Sequence, residues 1–389
     1  MKALIIDNVH LIKDSTGKYY SGSVYSYAFL QRYLKVFDEI RFVGKTRYCA
    51  EVDPSGCARV DGPGVEVYEL PWFQGLKQMG KIVPSLMHYF RNAPKGCDCI
   101  IYRVGQLESF AVYMLGEGKL PYVVEVVNDP ESFPGGLVRD FSVRMVRKMT
   151  ARAQGASYVT ERFLQEKYPS RRRLGDESGF ESFYSSIDLD ERTVRSEPRG
   201  FDRSGPLRVV HVANAINDDT KGLSTLLKAA AKTVEGGLDV RLTCVGDGAA
   251  LDDYKRMAEE LGIKDRVQFV GRLTGQKAIF EVLDRNDMLV LPTRMEGLPR
   301  TVIESMARGL PCLSTPVAGI PELLETKYLF QPDDYEGFAE EILRLASCPE
   351  ELRGMGARNI EKAREYTSDK LGRRRTAFYE QLRDCAVKR

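Results

Sequence analysis

Three histidines, one tryptophan and almost no excess charge set the first limits on this chain of 389 residues. Lys plus Arg and Asp plus Glu number 57 and 55, a net charge of +2. Nucleic-acid-binding domains carry a concentrated basic excess, so no general polyanion partner is implied for the whole chain. His10, His88 and His211 stand far apart in the sequence. The eight cysteines (Cys49, Cys57, Cys97, Cys99, Cys244, Cys312, Cys348, Cys385) form no C-x-x-C and no paired Cys/His spacing. Neither a zinc site nor a disulfide framework is written there, and the cysteines read as free thiols of a reducing compartment. No apolar run approaches the roughly 18 residues of a spanning helix. Met1 to Asp7 is too short and too soon charged for a signal peptide, so the expected location is the cytoplasm. No internal repeat or low-complexity segment occurs. No Gly-x-Gly-x-x-Gly follows the first strand-like run, which argues against a dinucleotide cofactor.

What is present is alternation. Short apolar runs trade places with helical patterns, the signature of α/β folds in which helices cover both faces of a parallel sheet. Ala3 to Asp7, Ile40 to Val43, Cys99 to Arg103, Tyr122 to Val127 and Ser157 to Val159 read as strands of a first domain. Tyr25, Phe29, Leu30, Tyr33, Leu34 and Phe37 repeat at helical spacing, and Leu137 to Ala153 predicts a helix with Val138, Phe141, Met145 and Met149 on one side. The length favours two domains of about 150–200 residues. Leu189 to Pro206, polar and rich in Pro and Gly, reads as the linker between domains 1–188 and 207–370. Strands follow at Leu207 to Val212, Val240 to Val245, Val267 to Val270 and Met288 to Pro292, and residues 371–389 read as a terminal helix.

The densest chemistry lies at Glu296-Gly297-Leu298-Pro299-Arg300-Thr301-Val302-Ile303-Glu304. Two carboxylates flank a Gly-Leu-Pro turn that opens an apolar helix, and Pro299 stands where a helix accepts its first residue because proline has no N–H to leave unpaired. First-turn N–H groups and the helix dipole favour a phosphate at Gly297 and Leu298. Glu304, further into the helix, can accept two hydrogen bonds from a vicinal diol, and Glu296 is free to meet another hydroxylated group. Gly309 ends this helix, Leu310 to Ser314 reads as a buried strand, and Pro316 to Leu324 reads as a turn into a further helix.

The stretch Leu291 to Leu324, with Lys221-Gly222, Val245-Gly246-Asp247-Gly248 and Arg266 to Gly271 upstream of it, resembles the retaining glycosyltransferases of family 4. The resemblance runs from about Leu207 to about Leu345. It also touches Val123 to Pro130 and Tyr158 to Pro169, which are similar to capsule and exopolysaccharide sugar transferases. It implies the GT-B fold, two Rossmann-like doubly wound parallel-sheet domains facing across a cleft, with the terminal helix 371–389 returning to the first domain. It implies a nucleotide diphosphate sugar as donor, a hydroxyl acceptor, and no cofactor or metal, because Lys and helix-start amides take the leaving-group charge. Glu304 would hold the ribose, Glu296 the donor sugar, and Lys221 with Gly297, Leu298 and Pro299 the diphosphate. Gly271-Arg272-Leu273 would carry the base against the backbone.

The chain departs from the family at two places. Asn214 stands where the family usually has an arginine, so Arg272, Arg300 or the amides of Gly22 and Ser23 would complete the diphosphate clamp. Where many members carry a histidine, Val127-Asn128-Asp129-Pro130 offers Asp129 as an acceptor-orienting group or base, its bland alternative being a turn cap. Gly22 permits close approach of a ligand to the backbone, and the glycines of Val245 to Gly248 are read as structural. Asp188-Leu189-Asp190 spells a D-x-D but is assigned to solvent.

Between Pro130 and Gly175 ten Lys/Arg stand against four acids, 10 − 4 = +6, a face that is either solvated or fitted to anionic lipid on the inner membrane surface. The expected activity is sugar transfer in the synthesis of a bacterial surface polysaccharide or its lipid-linked precursor. The alternatives are a nucleotide-sugar-binding protein without turnover, and a sugar-nucleotide epimerase of the same shape.

Overall fold

The computed structural model describes residues 1–388 except 53–55, 74–77, 79–85, 106, 117–119, 133–134 and 202–204. The chain divides into two compact units, Met1–Tyr184 with Gly372–Arg389, and Ser185–Leu371.

The first unit is built on a nine-stranded sheet: β1 (Lys2–Lys13), β2 (Tyr19–Ser21), β3 (Glu39–Tyr48), β4 (Ala58–Arg59), β5 (Val65–Leu70), β6 (Cys99–Val104), β7 (Tyr122–Val126), β8 (Gly155–Tyr158) and β9 (Phe180–Phe183). Strands β5, β3, β1, β6, β7, β8 and β9 pair in parallel in that order. The central strands are apolar because both faces are covered: β6 and β7 are buried along their whole length. The five expected strands are all present. β1 runs six residues past Asp7, with a register shift between Ile6 and His10, and β2, β4, β5 and β9 were not foreseen. Helices α1 (Tyr27–Leu34), α2 (Leu107–Gly116), α3 (Leu137–Arg152) and α4 (Phe163–Lys167) connect the strands.

On α3 the expected apolar face is divided. Met145 and Met149 are buried in the core, whereas Leu137, Val138 and Phe141 are exposed. Under the sheet, Arg103 bridges Asp7 at 2.7 Å and Glu125 at 2.5 Å, all buried. Glu125 also accepts from the hydroxyls of Tyr184 and Tyr379. Desolvating these charges is offset only because every partner is present, and the network ties the terminal residues around Tyr379 to this unit.

The second unit contains β10 (Leu207–Ala215), β11 (Val240–Asp247), β12 (Val267–Gly271), β13 (Met288–Leu291) and β14 (Cys312–Ser314), all parallel, in the order β12-β11-β10-β13-β14. Helices α5 (Leu223–Glu235), α6 (Leu251–Glu260), α7 (Gln276–Asp284), α8 (Arg300–Ala307), α9 (Tyr335–Ala346), α10 (Pro349–Ala363) and α11 (Ser368–Val387) follow, α11 crossing the boundary between units. Leu226, Leu242, Met288, Val290, Leu313 and Phe338 share one core, each contributing roughly 1.5–3 kcal/mol by leaving water.

Of the segment read as a linker, residues 189–201 are fastened to this unit. Leu189 is buried, the Arg195 amide donates to Ala307 O at 2.9 Å, and Arg199 donates to the carbonyls of Leu283 and Asn286 at 3.1 and 2.5 Å. Pro316 to Leu324 holds only a 3₁₀ turn, Ile320–Glu322, in place of the expected helix. All eight cysteines are free thiols, four of them buried.

Candidate functional site

Strand β10 pairs with β11 on one side and β13 on the other, so the strand order reverses between β10 and β13. In open α/β sheets the loops leaving the carboxyl ends at such a reversal part and leave a crevice for a ligand. Here those loops carry Lys221 after β10, and Glu296 after β13.

The two loops are stitched together. Asp218 accepts from Thr220 N–H at 2.9 Å and opens the 3₁₀ turn Asp219–Lys221. Gly222 follows in the left-handed region, φ +69°, and a Cβ there would lie 1.8 Å from Pro292 O. Only glycine fits. Across the gap the Arg294 amide donates to Thr220 O at 2.8 Å, and the Arg294 guanidinium pairs with Asp219 at 3.0 Å. From behind, His211, fully buried in β10, lies 3.0 Å from Lys221 O through Nε2. Burial holds its imidazole neutral, with a pKa lowered to about 4. Lys221 thus projects from a turn fixed on three sides.

Its ammonium reaches Glu296 Oε1 at 2.5 Å and Met295 O at 3.3 Å. Thr293 Oγ1 sits 3.2 Å from the same carboxylate oxygen. The Lys221 side chain keeps 31% of its surface and Glu296 12%, so the pair is sheltered yet reachable.

Helix α8 begins one residue later than expected: Pro299 is its N-cap, extended at ψ 114°. The first intrahelical bond runs from Ile303 N–H to Pro299 O at 3.4 Å. The N–H groups of Arg300, Thr301 and Val302 therefore join those of Gly297 and Leu298 as the donors available to an anion. Leu298 and Pro299 are buried, and Gly297 O accepts from Gly319 N–H at 2.9 Å, which pins the Gly-Leu-Pro turn. Glu304, half-buried on α8, has its pKa raised by burial, with Arg300 and a hydrogen bond from Gln276 opposing the rise. A carboxylate kept short of water is one that gains from hydroxyl donors.

The remaining expected residues are spread more widely. Gly271 closes β12, and beyond it Arg272 is exposed and Leu273 half-buried. Asn214 is exposed near the end of β10. The glycines of Val245 to Gly248 have the structural role read for them: a Cβ on Gly246 would lie 2.1 Å from Ala213 O. Asp188 accepts from Ser368 at 2.6 Å and Asp190 from the Arg192 amide at 2.9 Å, so the D-x-D has local partners. Among the described residues no three His, Cys, Asp or Glu side chains gather as a metal site, and no helix is long and apolar enough to cross a membrane.

Gly22 and Asp129 belong to the first unit, Gly22 exposed in a bend between β2 and α1. Asp129 is buried in the first unit. Its carboxylate accepts from the Glu131 amide at 3.0 Å, the Tyr168 hydroxyl at 2.5 Å and the Lys167 ammonium at 2.6 Å. The Glu131 contact makes it the cap of the Pro130–Ser132 turn. Sequence reasoning missed Thr293 and Arg294, whose only signal was their place directly after a buried strand, and His211, a lone histidine inside one.

Residues 206–348 match the family model described as glycosyl transferases group 1. N-acetyl-alpha-D-glucosaminyl L-malate synthase of Bacillus anthracis is 33% identical over 181 residues, 45% of this chain and 46% of that protein. The chain thus spans about half the length of that relative. Protein CapJ of Staphylococcus aureus is 24% identical over 331 residues, 81% of this chain and 79% of its own. Among solved structures, Alr3699/HepE of Anabaena in complex with UDP and glucose superposes with a TM-score of 0.67 at 16% identity, covering 99% of this chain and 100% of that one. The Lys221–Glu296 site and the strand reversal that frames it thus lie in a group 1 glycosyl transferase domain, residues 206–348, borne on a chain with the GT-B fold.

Proposed function

We propose that the chain is a retaining glycosyltransferase of family 4 that moves a hexose-type unit from a nucleotide diphosphate sugar to a hydroxyl acceptor without a metal, in the making of a bacterial surface polysaccharide or glycolipid. The observation that carries this is the juxtaposition of the Lys221 ammonium and the Glu296 carboxylate, 2.5 Å apart at the strand reversal, next to the open N–H groups of α8. As the bond from the sugar to the diphosphate breaks, negative charge grows on the departing oxygen. Lys221 and the α8 amides are placed to stabilise that charge more than the ground state, which is what lowers a barrier. Glu296 then has two roles, holding Lys221 before the donor arrives and meeting the sugar's hydroxyls afterwards. Glu304 accepts from the ribose diol, and Arg272 and Leu273 flank the base. No covalent nucleophile is invoked.

A binding protein without turnover is the second reading, favoured by Asn214, which brings no cation to the exposed end of β10. Thermal stabilisation by a panel of UDP-, GDP- and ADP-sugars tests the common ground, since a ligand of the folded state raises its melting point by mass action. Transfer to an acceptor, or slow donor hydrolysis, by the stabilising sugar supports the transferase. Saturable binding with neither supports the binding protein, and absence of any stabilisation defeats both.

A further inference from the structure

We propose that Gln276 is a positioning residue for Glu304, aiming that carboxylate by tying it to the stretch through which the chain passes between its two units; this rests on the donor-site reading of Glu304 and adds what holds it in place. Gln276 is the first residue of α7, and α7 packs against α8, the helix of Glu304. A carboxamide nitrogen carries two N–H groups, so it serves two acceptors at once. One acceptor is Asp188 O, at 2.7 Å, and the other is the Glu304 carboxylate. Arg300, one turn earlier on α8, acts on the same carboxylate through its charge. Charge alone sets no direction, whereas a hydrogen bond does. Gln276 therefore decides which way the two carboxylate oxygens face.

What holds Gln276 is the crossing itself. The chain leaves the first unit after Tyr184 and returns to it after Leu371. Just inside the second unit, Asp188 Oδ1 accepts from the Ser368 hydroxyl at 2.6 Å, and the Ser368 amide donates to Leu189 O at 2.8 Å, with Leu189 wholly buried. The outgoing and returning segments thus fasten each other at the residue whose carbonyl receives Gln276. The Asp188-Leu189-Asp190 stretch serves the site through its backbone, not as a cation ligand. A vicinal diol needs both oxygens of its carboxylate in one orientation, and a side chain ordered in advance spares the ligand a cost of about two- to tenfold in affinity. Such coupling is reciprocal: a ribose that locks Glu304 also locks Gln276 and, through it, the crossing.

Calorimetry on the full chain tests this, with whichever of UDP, GDP and ADP binds most tightly and with its 2′,3′-dideoxy analogue. Gln276→Ala and Gln276→Met, the second keeping the side chain's length, should each cut the preference for intact ribose by about threefold or more while leaving the affinity for the dideoxy analogue within about twofold. Lys277→Ala, at the exposed neighbouring position, should change neither. Hydrogen exchange at the Ser368 amide reads the other end: intact nucleotide should slow it in wild type, and not in Gln276→Ala. Wild-type preference in both Gln276 variants overturns the proposal. Equal losses for the two ligands also overturn it, since they make Gln276 a structural residue only, and a Ser368 amide indifferent to nucleotide removes the tie to the crossing. Wild type keeps the two claims apart: a wild type that binds without preferring intact ribose defeats the reading of Glu304 itself, whereas a discriminating wild type with unaltered variants defeats this inference alone.

Discussion

Replacing Gly222 by alanine probes the turn that aims Lys221. The left-handed backbone at φ +69° costs an L side chain about 1–2 kcal/mol. The new Cβ would also stand 1.8 Å from Pro292 O, so the carbonyl and the start of the β13 loop must move. Overpacking of that kind adds about 1–3 kcal/mol, for a total of about 2–5 kcal/mol. Gly262 is a matched control, with the same φ of +69° and nothing within 4 Å of its added Cβ. Gly262→Ala should lose only the backbone share, about 1–2 kcal/mol. The single tryptophan, Trp72, lies in the first unit, so the second unit is best followed by hydrogen exchange of the β10 and β13 amides, whose slowest rates report its stability. Nucleotide affinity, measured on the same variants, should fall with Gly222→Ala and hold with Gly262→Ala. Equal stability losses at the two glycines would refute the steric argument. An unchanged nucleotide affinity in Gly222→Ala would refute the claim that this turn places the lysine.

Three further outcomes are expected. Lys221→Ala should lower turnover on the order of 10²–10³-fold, the usual effect of removing one preorganised partner of a developing charge; full activity in a transfer assay would remove Lys221 from the diphosphate site. Glu304 has a raised pKa, so the folded state holds its proton more tightly than the unfolded chain, and stability falls as pH rises from below the ordinary 4.5 through the raised value. Glu304→Gln should therefore melt higher than wild type at pH 7 while binding donor more weakly, and the gain should vanish in acid; a lower melting point at neutral pH would contradict this. Asp129→Asn should destabilise the first unit by about 1–3 kcal/mol, the penalty for disturbing a satisfied buried group, as read from Trp72 fluorescence. Its pH–rate profile should stay unchanged, and a displaced profile would assign Asp129 to the chemistry.

The second unit was legible because its signals are local. Each strand is a short apolar run, each crossover an amphipathic helix, and the loops that matter sit within a few residues of the strand ends. The first unit hid more. Val65–Leu70 alternates valine and leucine with glutamate and tyrosine, a partly buried strand whose charged half-pattern resembles a loop. Val138 and Phe141 follow the helical period of buried neighbours, and only the tertiary fold shows that the core ends at Ser142 and Val143. The partners of Asp129, Lys167 and Tyr168, lie 38 and 39 residues away and leave no local signal. A carboxylate before proline at a strand end reads equally as base or cap until those partners arrive. Pro299 missed by one position because helix starts depend on dihedral detail that sequence pattern does not carry.

Donor binding beside Lys221 and the α8 amides requires Glu304 to accept the ribose diol of the bound nucleotide. Titrating the stabilising nucleoside diphosphate and its 2′,3′-dideoxy analogue into wild type and Glu304→Ala measures that contact directly. Wild type should prefer the intact ribose by about tenfold or more, as expected for a hydrogen-bonded pair lost from a sheltered site, and Glu304→Ala should bind the two alike. Undiminished discrimination in the variant, or none in wild type, would contradict it.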